Sequence, residues 1–381
     1  MRFAVFALVS LFAALTAATA ALPFHAGFYP SGPLDGITDV PGVAVGNVTK
    51  VEGASIRTGA TAILPNPDPW NHKVSAYALP FNGNGEMTGA HWINESGYLE
   101  TPIVLTDTLD IGRADDGVIS WMIKQHPQIG VRDDVPLPVV AECDDQLLND
   151  IQARVIGPQD VVNLLDSART GQFARGSVGA GTGMKAFGFK AGIGSASRVL
   201  PKELGGYTVG VLVNDNTGST REQLTIEGVH VGQALRNEYR MTFPKNLTLH
   251  GRMASGSIVI VIATDAPLDS RQLHAIALRA GMGMSRTGLT SDVGSGDLFV
   301  AFSTGYTFER AADYSIGAPT QRIIENTGIL NALYRATAEA TESAIYDALF
   351  SAKTMTGRGG VTVYGLPVDR VMQMLQAAGV Q

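Results

Sequence analysis

Six stretches of this chain read as strands, residues 101–108, 137–143, 207–215, 257–264, 297–304 and 361–365, and several of them are apolar at successive positions rather than at alternate ones. A strand with one wet face alternates, so unbroken apolar runs of this length predict strands covered on both sides. Other segments carry the helical period. Across residues 269–284, Leu273, Ile276, Ala277, Ala280 and Met284 form a single stripe fit to lie on a sheet. Helices are also predicted over 116–125, 158–168, 321–352 (one helix or two) and 367–377, with Pro158 and Pro367 suited to a first turn. Doubly covered strands interleaved with one-faced helices imply helices outside and sheets inside. The economical arrangement is an α/β (α+β) four-layer αββα sandwich.

Two regions fall outside that pattern. From residue 219 to 255 apolar residues are sparse and Arg, Lys, His and Asn frequent, which predicts a partly exposed connection delivering the chain to Gly256. The first twenty residues read as an address: Arg2 is followed by the apolar run "FAVFALVSLFAALTAA" and by Ala18-Thr19-Ala20, the small residues a signal peptidase accepts. Cleavage after about Ala20 and a periplasmic or secreted mature protein are expected. No apolar run reaches the roughly 20 residues of a membrane span. By length alone the remaining residues 21–381 suit two domains or one large layered one.

Composition narrows the chemistry. A net charge of −7, with 35 acidic residues spread along the chain, repels nucleic acid. Cys143 is the only cysteine, which excludes an intrachain disulfide, a cysteine zinc cage and a CxxC motif. The seven histidines are scattered, with no HExxH, and no metal or other cofactor is indicated. The 44 glycines cluster in segments such as "GSVGAGTGM" and "DVGSGD", a pattern of tight turns and close layers. "GTGMKA" (181–186) matches a dinucleotide fingerprint by letter, but it follows no strand and opens no helix. Neither a GxSxG elbow nor a Walker loop is present.

That leaves Ser257, a hydroxyl between a glycine and a run of strand-forming residues. Turn chemistry at a strand start is one reason to find serine there. A second is chemical. Were the Gly256–Ser257 peptide bond broken, Ser257 would carry both a hydroxyl and an α-amine whose pKa near 8 suits a general base. A preceding glycine leaves its carbonyl open to attack and tolerates the backbone conformation such attack requires.

The blocks "GITDVPGVAVGNVT", "NGNGEMTG", "GSVGAGTGMKAFGFKAGIGSASR", "TVGVLVNDNTG", "GSIVIVIATDAPL" and "GSGDLFVAFSTG" occur here in order. Together they resemble the DmpA-type family of L-aminopeptidases/D-esterases and β-aminopeptidases, from about Gly36 to the C-terminus. The resemblance implies an αββα fold like that of N-terminal-nucleophile hydrolases but with its own connectivity. It also implies a single-domain precursor that cuts itself between Gly256 and Ser257 into an α chain, 21–256, and a β chain, 257–381. By the same resemblance Ser257 is the nucleophile, Asn216 helps form the oxyanion hole, and Ser295 and Asp297 stand beside the nucleophile. Glu142 would meet the free amine of a small peptide, amide or ester substrate. The αβ units are expected to associate, as a tetramer. Two positions depart from the family pattern: Asp297 is a glutamate in characterised β-aminopeptidases, and Asp144 stands where some relatives have an aromatic, often tyrosine.

Three other readings fit parts of this. Ornithine acetyltransferases and nylon-oligomer amidases share the fold but generally use a threonine nucleophile. A catalytically silent periplasmic binding protein would keep the pocket without the cut.

Overall fold

The computed structural model describes residues 22–218, 220–244, 256–317 and 324–380. The expected leader, residues 1–20, lies outside them, as do Ser219 and residues 245–255 of the expected connection.

Two mixed sheets lie face to face. One is ordered β1 (Ala44–Glu52), β2 (Ile56–Leu64), β5 (Ile103–Thr106), β6 (Val139–Glu142). The other is ordered β4 (Tyr98–Leu99), β3 (His72–Gly83), β12 (Gly296–Glu309), β11 (Ser257–Thr264), β10 (Thr208–Asn216), β9 (Ile193–Val199). Two short hairpins, β7 (Lys185–Ala186) with β8 (Phe189–Lys190) and β13 (Met355–Thr356) with β14 (Thr362–Val363), stand apart from them. The helices are α1 (Ala90–Ser96), α2 (Ile111–Gln125), α3 (Pro158–Ser167), α4 (Val231–Ala234), α5 (Ser270–Arg286), α6 (Thr327–Phe350) and α7 (Val368–Ala377).

Side-chain parity along the strands assigns the layers, because successive residues face opposite sides of a sheet. On β11, Ile258, Ile260 and Ile262 join the core against Leu273, Ile276 and Ala280 of α5 and Leu333, Ala336 and Ala340 of α6. Val259, Val261 and Ala263 of the same strand enter a second core shared with Ile63, Ile103 and Val139 of the facing sheet. On the far side, Ala60, Ala62, Val104 and Val140 pack with Val118 and Trp121 of α2 and Val161 and Leu165 of α3. The order is therefore helix, sheet, sheet, helix, the predicted αββα sandwich. Both faces of β11 are covered, which is why its sequence never alternates.

Local chemistry fixes the helix ends. Asp269 caps α5 by accepting from Gln272 N (2.7 Å), and Gln272 reaches back to Asp269 N (3.1 Å). Pro158 occupies the first turn of α3 as expected, whereas Pro367 sits one residue before α7 as its cap. Residues 327–350 form one helix rather than two. Its inward glutamates and aspartate are matched: Asp347 pairs with Arg175 (3.2 Å) and Glu339 accepts from the backbone of Phe28 and Tyr29. A Cβ at Gly194 of β9 would lie 2.0 Å from Ala344 O, so only glycine lets α6 come so close.

The expectation of an exposed connection over 219–255 holds only in part. Leu224, Ile226, Val231 and Leu235 are wholly buried in the α5–α6 core, and α4 lies within this stretch. Four apolar anchors suffice to pin a segment whose other residues are polar.

Candidate active site

The site forms where β10 ends and β11 begins. Antiparallel pairing places Asn216 opposite Ser257, and parallel pairing places Gly296 on the other side of Ser257. Ser257 shares its face with Val259, so its hydroxyl points between the two sheets. Gly256, just before it, has φ +122°, and a Cβ there would lie 2.8 Å from Asn216 O. Both the conformation and the close approach require glycine.

Asn216 is held at both ends of its amide. Its Oδ1 accepts from Lys185 N (3.1 Å), while its Nδ2 donates to Asp144 O (2.9 Å) and reaches Ser257 Oγ at 3.5 Å. The amide N–H group is thereby aimed at the space beside the hydroxyl, where an oxyanion on an attacked carbonyl would form.

Glu142 ends β6 in the opposite sheet and is buried. Its Oε1 accepts from Glu86 N (3.2 Å) and its Oε2 from Thr108 Oγ1. Burial raises its carboxyl above the usual carboxylate range, and the two hydrogen bonds oppose that rise. A Cβ at Gly85 would lie 3.1 Å from Glu142 Oε1 and 3.4 Å from Gly296 Cα, so this carboxylate stands one glycine away from the strand beside Ser257. Cys143, the next residue, is buried, and its Sγ is 3.5 Å from Asn214 O; desolvation pushes its thiol up.

Asp144 turns its carboxylate to Gln146 N (2.9 Å) and Nε2 (2.7 Å). Its contribution to the cluster comes from its main-chain carbonyl on Asn216. Ser295 donates to Asp297 Oδ1 (2.5 Å), and Asp297 Oδ2 is buried with no hydrogen-bond partner. Burial raises the Asp297 carboxyl, the Ser295 and Ser291 side chains oppose the rise, and Asp292 adds to it. Asp297 is paired with Ile258, which faces α5 and α6, so this carboxylate stands on the opposite side of the sheet from the Ser257 hydroxyl. The loop leading to it is tied to β3 by Asn82 Nδ2 to Asp292 O (2.8 Å) and Asn84 Nδ2 to Gly294 O (2.7 Å).

The structure thus gathers Gly256, Ser257, Asn216, Ser295 and Asp297 around the start of β11, with Glu142 and the Asp144 carbonyl arriving from the facing sheet. Sequence reasoning missed Thr108, Asn82, Asn84 and the Lys185 N–H. Backbone donors and single threonines leave no motif, although the "NGNG" run could have suggested a stapled loop. In "GTGMKA" Gly181 ends a short 3₁₀ turn, Gly179–Gly181, and Lys185–Ala186 form β7, with no fingerprint geometry. Among the described residues no group of three or more His, Cys, Asp or Glu side chains is arranged to hold a metal ion.

The family model for peptidase family S58 matches residues 35–363. The beta-peptidyl aminopeptidase BapA of Sphingosinicella microcystinivorans is 38% identical over 360 residues, covering 91% of this chain and 88% of that protein. A Burkholderia sp. beta-aminopeptidase superposes with a TM-score of 0.84 at 40% identity, over 94% of this chain and 98% of the other. The L-aminopeptidase D-Ala-esterase/amidase of Ochrobactrum anthropi, described as a prototype for the serine aminopeptidases and a new variant among the Ntn hydrolase fold, gives 0.82 at 36% identity, over 93% and 96%. With nearly the whole chain matched in both sequence and fold, this protein belongs to peptidase family S58 and is a hydrolase, an aminopeptidase.

Proposed function

We propose that the chain cuts itself between Gly256 and Ser257 and then releases N-terminal residues from small amides, peptides or esters through an acyl-enzyme on Ser257. In the self-cleavage, Ser257 Oγ attacks the Gly256 carbonyl carbon, the C–N bond breaks, and the hydroxyl proton passes to the departing nitrogen. Water then hydrolyses the resulting ester, leaving Gly256 with a carboxylate and Ser257 with a free α-amine. In turnover that amine takes the Ser257 proton as Oγ attacks the substrate carbonyl, and Asn216 Nδ2 stabilises the oxyanion. The amine returns the proton to the leaving group, and water releases the acyl product. One side-chain amide in this position is worth about 10²–10³ in rate. The observation that carries the reading is the Asn216 amide 3.5 Å from a serine hydroxyl at the head of a buried strand, directly after a left-handed glycine.

Glu142 supports an exopeptidase. A buried carboxylate across from the nucleophile rewards a terminal ammonium with a charge-assisted bond. The β-aminoacyl class is the first to try, since two relatives are named for it. The same reading includes export, with residues 1–20 as a signal peptide, and assembly of αβ units into an oligomer, a tetramer. N-terminal sequencing of the smaller fragment, with a panel of α- and β-aminoacyl anilides, tests it. A start at Ser257 and hydrolysis of free-amine substrates but not their acetylated forms support it. An unbroken active chain overturns the cut, an unbroken inactive one favours a silent binder, and turnover of acetylated substrates favours an endo-acting amidase.

A further inference from the structure

The ladders of β10, β11 and β12 set Asp215, Ile258 and Asp297 in one row: Asp215 opposite Ile258, and Ile258 opposite Asp297. Residues paired in this way share a face of the sheet, here the face toward α5 and α6 where Ile258 packs. Strands lie about 4.8 Å apart, so each carboxylate stands one strand's width from β11, one on either side. Ser257 is the next residue back along β11. Its hydroxyl takes the other face, and its nitrogen lies on β11 just before the level the two acids flank.

Both acids are deeply buried and only half satisfied. Asp215 Oδ1 accepts from Thr217 Oγ1 (2.5 Å) and Thr217 N (3.2 Å), leaving its Oδ2 without a partner, while Asp297 Oδ1 accepts from Ser295 Oγ and its Oδ2 has no hydrogen bond within 3.5 Å, the Ser291 side chain favouring its charge from farther off. Buried carboxylate oxygens are costly to leave unpaired. The charged and titratable groups that face Asp215 are the nearly buried Lys185 of β7, Asp297 of β12 and Cys143. Lys185 faces Asp215 and Asp144, and Asp297 faces Asp215 and Asp292, so the acids here outnumber the ammonium that faces them and a freed amine at Ser257 would bring a second positive charge.

We propose that Asp215 is a positioning residue for the nucleophile's amine: with Asp297 it receives the ammonium released on Ser257 and sets the pH at which that amine becomes a base. The assignment rests on the self-cleavage proposed above. Before the cut, burial holds the Asp215 carboxyl up at about 7, so it can carry a proton until the ammonium arrives.

Asp215→Asn keeps the size and an acceptor for Thr217 and removes the charge. Wild type and variant are first checked for cutting by N-terminal sequencing, and the pH dependence of kcat/KM is then measured on cut protein. An anion beside an ammonium raises its pKa, so removing it should move the acid limb of the profile down by about one unit. The pH dependence of Ser257 amine acylation by an amine-directed reagent, read from the mass of the β fragment, should shift likewise without any need for activity. Asp215→Ala replaces the asparagine variant if that one does not accumulate folded, with the same shift expected. Unmoved profiles in a cut variant overturn the role of Asp215 and leave the self-cleavage standing. A variant that stays uncut beside a cut wild type also overturns it, because Asp215 would then act before the amine exists. An uncut wild type overturns both.

Discussion

Asn216 and Ser257 face each other across one ladder of the six-stranded sheet, with Asn216 Nδ2 3.5 Å from Ser257 Oγ and its Oδ1 pinned by the Lys185 N–H. A pinned amide cannot swing away when charge develops, which is the condition for strong oxyanion stabilisation. Asn216→Ala should lower kcat about 10²–10³-fold with a much smaller change in KM. Asn216→Asp keeps the acceptor for Lys185 but loses the donor, and should be no better. Steady-state kinetics on an aminoacyl anilide measures both; a loss confined to KM would reassign the residue to substrate binding.

Ser257→Ala removes the attacking oxygen from both proposed reactions. The variant should remain a single chain on a denaturing gel and hydrolyse nothing. Ser257→Cys keeps a nucleophile and should be cut, more slowly. Complete processing of the alanine variant would place the nucleophile elsewhere.

Glu142 acts, in this reading, on the substrate's ammonium and not on the scissile bond of the precursor. Glu142→Gln should raise KM for free-amine substrates about 10–100-fold, the worth of a hydrogen bond to a charged group, and leave self-cleavage close to wild type. Because burial raises the Glu142 carboxyl, the wild-type KM should climb as pH falls through that raised value, and the glutamine variant should lack this rise. Equal losses of processing and turnover would mark Glu142 as a folding residue.

The central strands were legible because both their faces are apolar: β10, β11 and β12 begin within one residue of the expected positions. β2 and β3 were not. β2 is built of small residues, and β3 carries Lys73, which is buried against Glu100 (2.6 Å) and looks solvent-facing in sequence. β9 was hidden by Gly194 and its serines, whose small size serves the approach of α6. At the candidate site, Ser257 stands out in sequence as a hydroxyl at a glycine-to-strand junction, and Asn216 only through blocks shared with a family. The Asp144 carbonyl and the Lys185 N–H are main-chain groups that any residue could supply. Asp215 is visible only once pairing sets it level with Asp297.

Lys190 holds the turn that presents the Lys185 N–H. Its ammonium is wholly buried and donates to the carbonyls of Gly181 (3.1 Å), Met184 (2.7 Å) and Ala191 (2.6 Å). Lys190→Met fills the space but takes the ammonium donor from Ala191 O and leaves Gly181 O and Met184 O with only their long backbone donors, Met184 N and Ala191 N (3.3 Å each), at roughly 1–3 kcal/mol. Urea unfolding should show that loss, and kcat should fall with it as Asn216 loses its anchor. Wild-type stability in the methionine variant would mean water replaces the ammonium.

Asp107 gives a pH test independent of catalysis. It lies buried next to Asp110, and desolvation first, then that neighbour, pushes its carboxyl up to about 7. Its oxygens accept from Leu109 N (3.0 Å), Asp110 N (3.2 Å) and Thr58 Oγ1 (3.1 Å), contacts that asparagine can largely keep because the threonine hydroxyl can turn to accept. The unfolded carboxyl titrates near 3.9. Below about pH 4 both states hold the proton, and the aspartate costs nothing. Between about 4 and 7 the folded state retains a proton that the unfolded state has released, so wild type loses stability as pH rises, by up to about 1.4 kcal/mol per unit. Above about 7 both states are ionised and the loss stops growing. The stability of Asp107→Asn relative to wild type should therefore grow from pH 4 to 7 and then level off. Urea midpoints of the two proteins across that range measure it, and a constant difference would show that Asp107 keeps its charge in the fold.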